Sequence, residues 1–556
     1  MRGQDGGDVQ DERPGARPPE PGDEGSRPAR PRLRFGLIWA LSSAIFFALS
    51  LCWIIATPIG GGPDEPAHMI KAAATVRGEL VGDDVAGSST AMRRMTIPEA
   101  YAHAAEIAGC YQFKPDQRAN CQPNWSGTMA DARINTYVGR YPPLYYLMVG
   151  LPTLFTPSVW GFYAMRAISA LITAALVGMA FAVTAAYGRS RLLVLGVAVC
   201  ATPMLVFLSA IINPTSMEMA GGLLAWAGGL VLVLDHVDAP PRPVVASLLV
   251  GSALLALSRS ISPFWVACVL AIMFLLDPRG IIGLLRRPGP ARKGFIAIIG
   301  VCAAAGLYSL ATKAFSVYPA GRPVPKDATT WKIVQLAWDR IPSYYRQFIG
   351  VFGWLDTKSP PSSFWIWTVL LIGTVLIGLI AASWRQRLCM VLIAIGIVAV
   401  PTAITSSHAR VDGLVWQSRY SYPIDVGLLL LAMAVASHGV FARRWVVRVI
   451  VVASAIAMGF AQVHSYFQTL RRYVVGLHGT PHFLSNHPGQ WEPPLPPWVL
   501  LGATGVAALV YAAWIVLLGL RRREPTPAVA SGEPDGDGGP PGPDRPPAEL
   551  AEVGRQ

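Results

Sequence analysis

Long apolar segments recur along the chain, and they limit its possible folds more than any other feature of the sequence. The first, residues 35–57, is about 23 residues long, enough to cross a bilayer as a helix. Charged residues make up only 14% of the chain, whereas about a quarter of a soluble domain is charged. The sequence therefore predicts an all-α polytopic membrane protein with about twelve transmembrane helices. The other predicted helices lie near 160–187, 191–211, 218–235, 244–258, 262–277, 294–315, 363–383, 388–405, 423–440, 446–467 and 497–520.

Basic clusters between the apolar segments predict the orientation of the chain. Short cytoplasmic loops of membrane proteins carry an excess of lysine and arginine. With a cytoplasmic N-terminus, every such cluster falls on the cytoplasmic side, so the net charge of +13 does not indicate nucleic-acid binding. We expect both termini in the cytoplasm. The clusters are Arg189 and Arg191; Arg279, Arg286, Arg287, Arg292 and Lys293; Arg385 and Arg387; Arg443, Arg444 and Arg448; and Arg521 to Arg523.

The two ends of the chain differ in composition from its apolar middle. Residues 1–34 and 521–556 are rich in proline, glycine and charged residues, which is typical of disordered tails. Residues 35–520 form the predicted membrane domain. Its first outer loop, 58–142, is too long to be a simple connector.

An acidic motif, Gly60-Gly-Gly-Pro-Asp-Glu-Pro-Ala-His-Met-Ile-Lys71, directly follows the first apolar segment. Its adjacent carboxylates, Asp64 and Glu65, can supply a general base beside the membrane. They can also bind a divalent cation through their oxygens, although no cofactor is required. The remaining interpretation is a polar helix cap. The sequence leaves these alternatives open.

The same motif predicts a helix over residues 66–77. A proline suits the first helical turn, and Gly78 is a plausible stop. At this spacing His68 and Lys71 share a helix face with Asp64. An acid, an imidazole and an ammonium group are therefore expected to converge just above the membrane surface.

Tyrosine-rich and arginine-containing motifs occur at the ends of other outer loops. Tyr137-Val-Gly-Arg-Tyr-Pro-Pro-Leu-Tyr-Tyr146 closes the first loop, and its Arg140 presents a fork suited to phosphate or carboxylate. In Trp416-Gln-Ser-Arg-Tyr-Ser-Tyr-Pro423, Arg419 lies at the outer edge of the bilayer, where a buried arginine is costly unless it is paired. A phosphate or the acidic pair would satisfy it.

Aromatic residues near the eighth predicted helix offer a second type of contact. Phe348-Ile-Gly-Val-Phe-Gly-Trp-Leu-Asp-Thr357 places Trp354 where its flat face suits a sugar, or where it anchors the chain at the interface. The candidate substrate-binding residues from these motifs are Lys71, Arg140, Tyr141, Tyr145, Trp354, Asp356, Gln417, Arg419 and Tyr420.

Two of the seven cysteines, Cys110 and Cys121, lie together in the polar first loop. Oxidation is expected outside the cytoplasm, so we predict a disulfide between them. The other cysteines lie in apolar segments, and no Cys-x-x-Cys or Cys/His metal spacing occurs.

Four motifs together resemble the bacterial membrane family called domain of unknown function 2142. The resemblance extends in motif order from about residue 36 to residue 470. The family is itself similar in layout to integral-membrane glycosyltransferases of the C superfamily, which carry an acidic pair in the first outer loop and use polyprenyl-phosphate sugars. The motifs are Pro63-Asp64-Glu65-Pro66-x-His68, Arg140-Tyr-Pro-Pro-Leu-Tyr-Tyr146, Gly353-Trp-Leu-Asp356 and Gln417-Ser-Arg-Tyr420.

This resemblance implies an inverting glycosyltransferase on the outer face of a bacterial cytoplasmic membrane, acting on an envelope glycan or protein acceptor. Asp64 would be the general base, with Glu65 or His68 orienting it or the acceptor. Arg140 and Arg419 would bind the lipid phosphate of a polyprenyl-phosphate sugar. The alternatives are a transporter or flippase of a lipid-linked glycan, and a non-catalytic scaffold for envelope assembly.

Overall fold

The computed structural model describes residues 35–88, 91–315, 321, 323–411, 413–436, 441, 443–485 and 489–521. Both predicted tails lie outside the described residues, apart from Arg521. Within the described ranges the protein is mainly helical, with little sheet, which confirms the all-α polytopic prediction.

The helices are numbered in chain order. They are α1 Phe35–Ala56, α2 Glu65–Thr75, α3 Glu99–Ala104, α4 Leu144–Val149, α5 Val159–Tyr187, α6 Leu192–Cys200, α7 Pro203–Ser209, α8 Thr215–Asp235, α9 Arg242–Ala256, α10 Ser262–Leu276, α11 Pro278–Arg286, α12 Pro290–Ala311, α13 Thr330–Trp338, α14 Ile341–Gly350, α15 Pro361–Ala381, α16 Trp384–His408, α17 Tyr422–Val435, α18 Arg444–Val475 and α19 Pro497–Leu520. Short 3-10 helices occur at Ile107–Cys110, Ala119–Cys121, Leu151–Leu154 and Ser418–Tyr420.

The number of membrane spans depends on how broken helices are counted. In the described part of the chain, eight helices are long and apolar enough to cross a membrane, and two bent pairs raise this number to ten. The pairs α6–α7 and α10–α11 bend by 60° and 106°. In each pair the second helix begins with a proline, which cannot continue the helix before it.

The two remaining predicted spans correspond to short helices. The predicted spans 244–258 and 423–440 overlap α9 and α17, of 15 and 14 residues, and residues 437–440 lie outside the described ranges. A straight span needs about 20 residues. Among the described residues, length and composition therefore support eight to ten spans, and the prediction of about twelve stays a prediction.

Helix α8 lies at the centre of the bundle, and other helices carry the exposed apolar surface. Every residue from 215 to 233 is buried, as expected for a helix that is apolar on all sides. By contrast, α12 and α15 expose large aliphatic side chains along one face. These are Ile296, Ile299, Leu307 and Leu310 on α12, and Val369, Ile372, Leu376 and Ile380 on α15. This arrangement suits a bundle surrounded by lipid.

The predicted outer segments meet at one end of the bundle, which we call the loop end. Trp354 donates a hydrogen bond to the Gly60 carbonyl, and Arg118 donates one to the Gly489 carbonyl. At the other end, the Ser190 hydroxyl donates to the Met433 carbonyl at 2.6 Å. The first two contacts join the predicted outer segments 58–142, 316–362 and 468–496 to one another.

The described residues of the first loop, 58–88 and 91–142, pack on the loop end. Antiparallel strands β1 (Asp83–Asp84), β2 (Arg93–Pro98) and β3 (Asp131–Thr136) form a sheet beside α2, and strands β4 (Val351–Phe352) and β5 (Thr357–Lys358) form a hairpin elsewhere. Cys110 and Cys121 are joined by a disulfide, which confirms the prediction from the sequence.

We predict that the loop end faces the outside of the cell. A cysteine introduced by Ser88→Cys should react with a membrane-impermeant maleimide on intact cells, because Ser88 is exposed on the loop end. One introduced by Arg385→Cys, exposed on a basic turn at the other end, should react only after permeabilisation. The unsubstituted chain gives the background, and the opposite labelling pattern would contradict the orientation.

Candidate functional site

The acidic turn places two adjacent carboxylates in different surroundings. Helix α2 begins at Glu65, directly after Asp64, whose backbone is left-handed with φ +62°. Aspartate is one of the few residues that adopt this conformation readily. The Asp64 side chain makes no capping hydrogen bond to α2, so a helix cap does not account for its carboxylate.

Glu65 is fully buried and forms an ion pair with Arg166 of α5. The pair is bidentate, since Arg166 Nε and Nη2 each donate to one carboxylate oxygen at 2.7 Å. Arg166 donates its other N–H groups to the carbonyls of Ile54, Thr57 and Pro58. All five guanidinium donors therefore have acceptors, and the pair ties the acidic turn to α1 and α5.

The segment between α7 and α8 holds the turn from its other side. The Ile212 amide donates to Glu65 at 3.0 Å, and the Asn213 side chain donates to the Pro63 carbonyl at 3.0 Å. A Cβ on Gly62 would collide with the Ile211 side chain, so this close approach requires glycine. Glu65 is thus an anchor of the turn, not a residue that faces a substrate.

Asp64 projects from this anchored turn to a tyrosine and an arginine. The Tyr137 hydroxyl donates to Asp64 Oδ1 at 2.7 Å, and Arg419 Nη2 donates to Oδ2. A quarter of the Asp64 side chain is exposed, whereas that of Arg419 is almost completely buried. Burial disfavours the charged carboxylate, but the Arg419 charge and the hydrogen bonds outweigh it and lower the pKa of Asp64.

Arg419 and Arg259 lie around the ring of Tyr420. Their guanidinium carbons are 5.2 Å and 4.1 Å from its centroid. Arg259, in the turn between α9 and α10, also lies 3.4 Å from the Tyr141 hydroxyl and 3.6 Å from the Glu218 carboxylate. The candidate site therefore combines Asp64 with two arginines that lie far apart in sequence.

His68 lies beside this group and is uncharged near neutral pH. Its Nδ1 is 2.8 Å from the Tyr146 hydroxyl, and the two rings are stacked with centroids 5.9 Å apart. Burial lowers the pKa of His68 to about 3, with the nearby Asp64 charge opposing this shift and the arginines adding to it. His68 can therefore position neighbours through hydrogen bonds but does not add a positive charge.

Two candidate residues have structural partners instead of facing the site. Lys71 is buried and donates to the carbonyls of Leu80 and Gly139, and burial lowers its pKa to about 7. It does not contact Asp64 as the helical spacing predicted. The Tyr145 hydroxyl donates to Ser169 and accepts from the Asn213 amide, which joins α4 to α5.

Arg140 contacts residues other than the acidic pair. Its Nη1 donates to the Thr312 carbonyl, and its Nη2 is 3.4 Å from Asp84. The structure brings Arg419 to Asp64 of the acidic turn. The Gln417 carbonyl accepts from the Tyr420 amide at 3.0 Å, which helps to shape the turn that carries Arg419.

The Gly353-Trp-Leu-Asp356 motif supports the first loop. Asp356 accepts a hydrogen bond from Arg472 of α18 at 2.9 Å, and Trp354 donates one to the Gly60 carbonyl at 3.0 Å. Arg472 also donates to the Tyr111 carbonyl at 2.9 Å. These contacts hold the loop in place and leave the motif without a free carboxylate for a substrate.

The acidic pair does not present two free carboxylates to a cation. Both oxygens of Glu65 accept from Arg166 and from backbone amides. Over the ranges that the structure describes, no cluster of three or more acid, histidine or cysteine side chains has the arrangement of a metal site.

Four residues that form or anchor the site are not among the candidate residues predicted from the sequence. Arg166 and Glu218 lie within apolar helices, and a charge there is itself a signal of a functional or paired residue. Arg259 follows an apolar segment, and Tyr137 opens a motif in which Arg140 drew more attention. Their partners come from distant parts of the chain, so spacing alone does not reveal the contacts.

The fold and site define a multi-pass membrane protein with a charged cluster at its loop end. The model of the family described as "Predicted membrane protein (DUF2142)" matches residues 46–428. This match covers more than half of the chain, which therefore belongs to that family. No curated protein and no solved structure matches the chain. The similarity in layout to C-superfamily glycosyltransferases stays a prediction.

The different surroundings of the two acids predict different effects on stability. Glu65→Gln leaves Arg166 charged and unpaired in the interior, so it should reduce the free energy of unfolding by about 3–5 kcal/mol. Asp64→Asn should cost less, because the site is partly exposed and asparagine also tolerates a left-handed backbone. Thermal unfolding of the purified variants in detergent measures both changes.

Glu106→Gln is the matched control for this comparison, since Glu106 is exposed on the same loop. It should leave the unfolding temperature unchanged. A Glu65→Gln protein as stable as the Glu106→Gln protein would refute the anchoring role of Glu65.

Proposed function

We propose that the protein is an inverting glycosyltransferase on the outer face of a bacterial cytoplasmic membrane. It moves a sugar from a polyprenyl-phosphate donor to a hydroxyl of an envelope glycan or protein. The observation that carries this proposal is the contact between a partly exposed carboxylate, Asp64, and a buried arginine, Arg419, at the loop end. The proposal requires no cofactor.

Asp64 acts as the general base in this proposal. It accepts the proton of the acceptor hydroxyl while that oxygen attacks the anomeric carbon of the donor sugar. The bond between the anomeric carbon and the phosphate oxygen breaks, and its electron pair stays on the phosphate. Attack from the face opposite the phosphate inverts the anomeric configuration.

Arg419 binds the phosphate of the donor and stabilises the charge that develops on the leaving group. While Arg419 contacts Asp64, it also lowers the basicity of that carboxylate, because it favours the ionised form. A donor phosphate competes with Asp64 for the same guanidinium. Donor binding thus frees Asp64 to accept a proton when the sugar is in place.

Tyr137 and Glu65 position the base. Tyr137 holds one oxygen of Asp64 through its hydroxyl, and burial together with the Asp64 charge raises the pKa of Tyr137, so it remains a donor. Glu65 fixes the backbone of the turn through Arg166. Rigid support of this kind keeps a catalytic group within reach of its substrate.

A transporter of lipid-linked glycans is the main rival, and the broken helix pair α6–α7 is the observation in its favour. Broken helices line the substrate sites of many transporters. Here, however, the Cys200 carbonyl accepts from Tyr422, and the Ala201 carbonyl accepts from Gln462 at 3.0 Å. The two carbonyls that the break leaves without a helical partner thus accept hydrogen bonds within the protein, which favours the enzyme over the transporter.

Loss of the base should abolish transfer. In a strain that lacks the protein, we expect an envelope glycan or glycoprotein to lose one sugar, and the wild-type gene to restore it. Asp64→Asn should lower the rate by about 10²–10⁴, because asparagine cannot accept the proton. Mass spectrometry of the envelope glycans measures this loss, with protein level checked by immunoblot.

Asp116→Asn provides a matched control, since Asp116 is an exposed acid on the same loop that pairs with His478. It should restore the glycan fully. Accumulation of a complete lipid-linked glycan in the deletion strain would support transport. Full glycan transfer by Asp64→Asn protein at normal level would remove the base from the mechanism.

A further inference from the structure

The turn between α9 and α10 brings a second arginine to the site. Arg259 packs over the Tyr420 ring with its guanidinium carbon 4.1 Å from the centroid, on the same ring that Arg419 contacts. Two positively charged guanidinium groups that contact the same ring repel each other. Their convergence is favourable only where negative charge lies near both.

The existing carboxylates leave donors of both arginines without acceptors. Arg419 Nε and Nη1 and Arg259 Nη1 are buried and have no hydrogen-bond partner among the residues that the structure describes. The Arg259–Glu218 separation of 3.6 Å is an ion-pair distance but too long for a hydrogen bond. Buried donors without acceptors are costly, and they mark a place for an additional acceptor.

Glu218 holds Arg259 in place without using up its donors. The Ser262 hydroxyl donates to Glu218 Oε1 at 2.6 Å, which fixes that carboxylate between α8 and α10. Glu218 Oε2 lies nearer Arg259 and accepts no hydrogen bond within the described ranges. The Arg259 donor without a hydrogen-bond partner among the described residues is Nη1, which lies 3.6 Å from Glu218 Oε2. A ligand oxygen that accepts from Nη1 therefore competes with Glu218, whose contact is too long to be a hydrogen bond.

We propose that Arg259 and Arg419 together bind one phosphate group, and that Arg259, not Arg140, is the second phosphate-binding arginine. Tetrahedral phosphate presents several oxygens and matches the paired N–H donors of two guanidinium groups. This inference rests on the proposed donor, a polyprenyl-phosphate sugar. Arg140 instead contacts Thr312 and Asp84.

Binding of a polyprenyl monophosphate to the purified full-length protein in detergent tests this site. Arg259→Lys keeps the charge but loses the fork, and it should weaken binding at least about tenfold. The double variant Arg259→Gln/Glu218→Gln removes both charges, leaves no buried charge unpaired, and should weaken binding similarly. Arg140→Lys tests the alternative arginine and should bind as the wild type does.

Phosphate binding by the Glu218→Gln variant gives a further test, because a purely structural Arg259–Glu218 pair would not affect the affinity for phosphate in this way. Glu218 competes with the phosphate for Arg259, so its neutralisation should strengthen phosphate binding several-fold. Inorganic phosphate and the polyprenol without phosphate separate the two parts of the ligand. We expect the lipid phosphate to bind most tightly, and the polyprenol to show no dependence on Arg259.

The outcomes separate this inference from the proposed function. If the wild type binds polyprenyl phosphate and Arg259→Lys and the double variant bind it equally well, Arg259 is not part of the site, while the donor assignment stands. Loss of binding in Arg140→Lys alone would return the role to Arg140. If the wild type does not bind polyprenyl phosphate, the proposed donor and this inference both fail.

Discussion

The buried ion pair between Glu65 and Arg166 is the interaction on which the rest of the site depends. It joins the first loop to α1 and α5, and it uses every donor of the guanidinium. A buried charge pair is costly unless its geometry is complete. Here the full set of hydrogen bonds made by Arg166 fixes the turn. The neighbouring carboxylate of Asp64 then projects towards Arg419. Glu65 thus supports the structure, and Asp64 remains available for chemistry.

The sequence predicts the apolar segments well because each is a local property of the chain. It also predicts the helix after the acidic turn within one or two residues, since the proline marks its start. It does not separate the roles of Asp64 and Glu65. That separation depends on Arg166, about 100 residues away, and on the segment around Asn213, which only the tertiary fold brings to the turn.

The arginines illustrate the same limit. Local sequence favoured Arg140, which is surrounded by tyrosines and prolines, but packing directs it to Asp84 and Thr312. Arg259 has an unremarkable local sequence, and packing places it on Tyr420. A charged residue in or beside an apolar helix is itself a signal of a paired or functional residue, because its charge must be paired there. The identity of that partner is not a local property.

The central claim is that Asp64 and Arg419 form a reaction centre at the loop end. The most direct measurement is a cryo-electron microscopy structure of the full-length protein with a bound polyprenyl monophosphate. The account predicts that the phosphate lies within hydrogen-bond distance of Arg419, and that Asp64 no longer contacts that arginine. A phosphate bound at Arg140 and Asp84, or at the basic turns of the opposite end, with the Asp64–Arg419 pair intact, would contradict it.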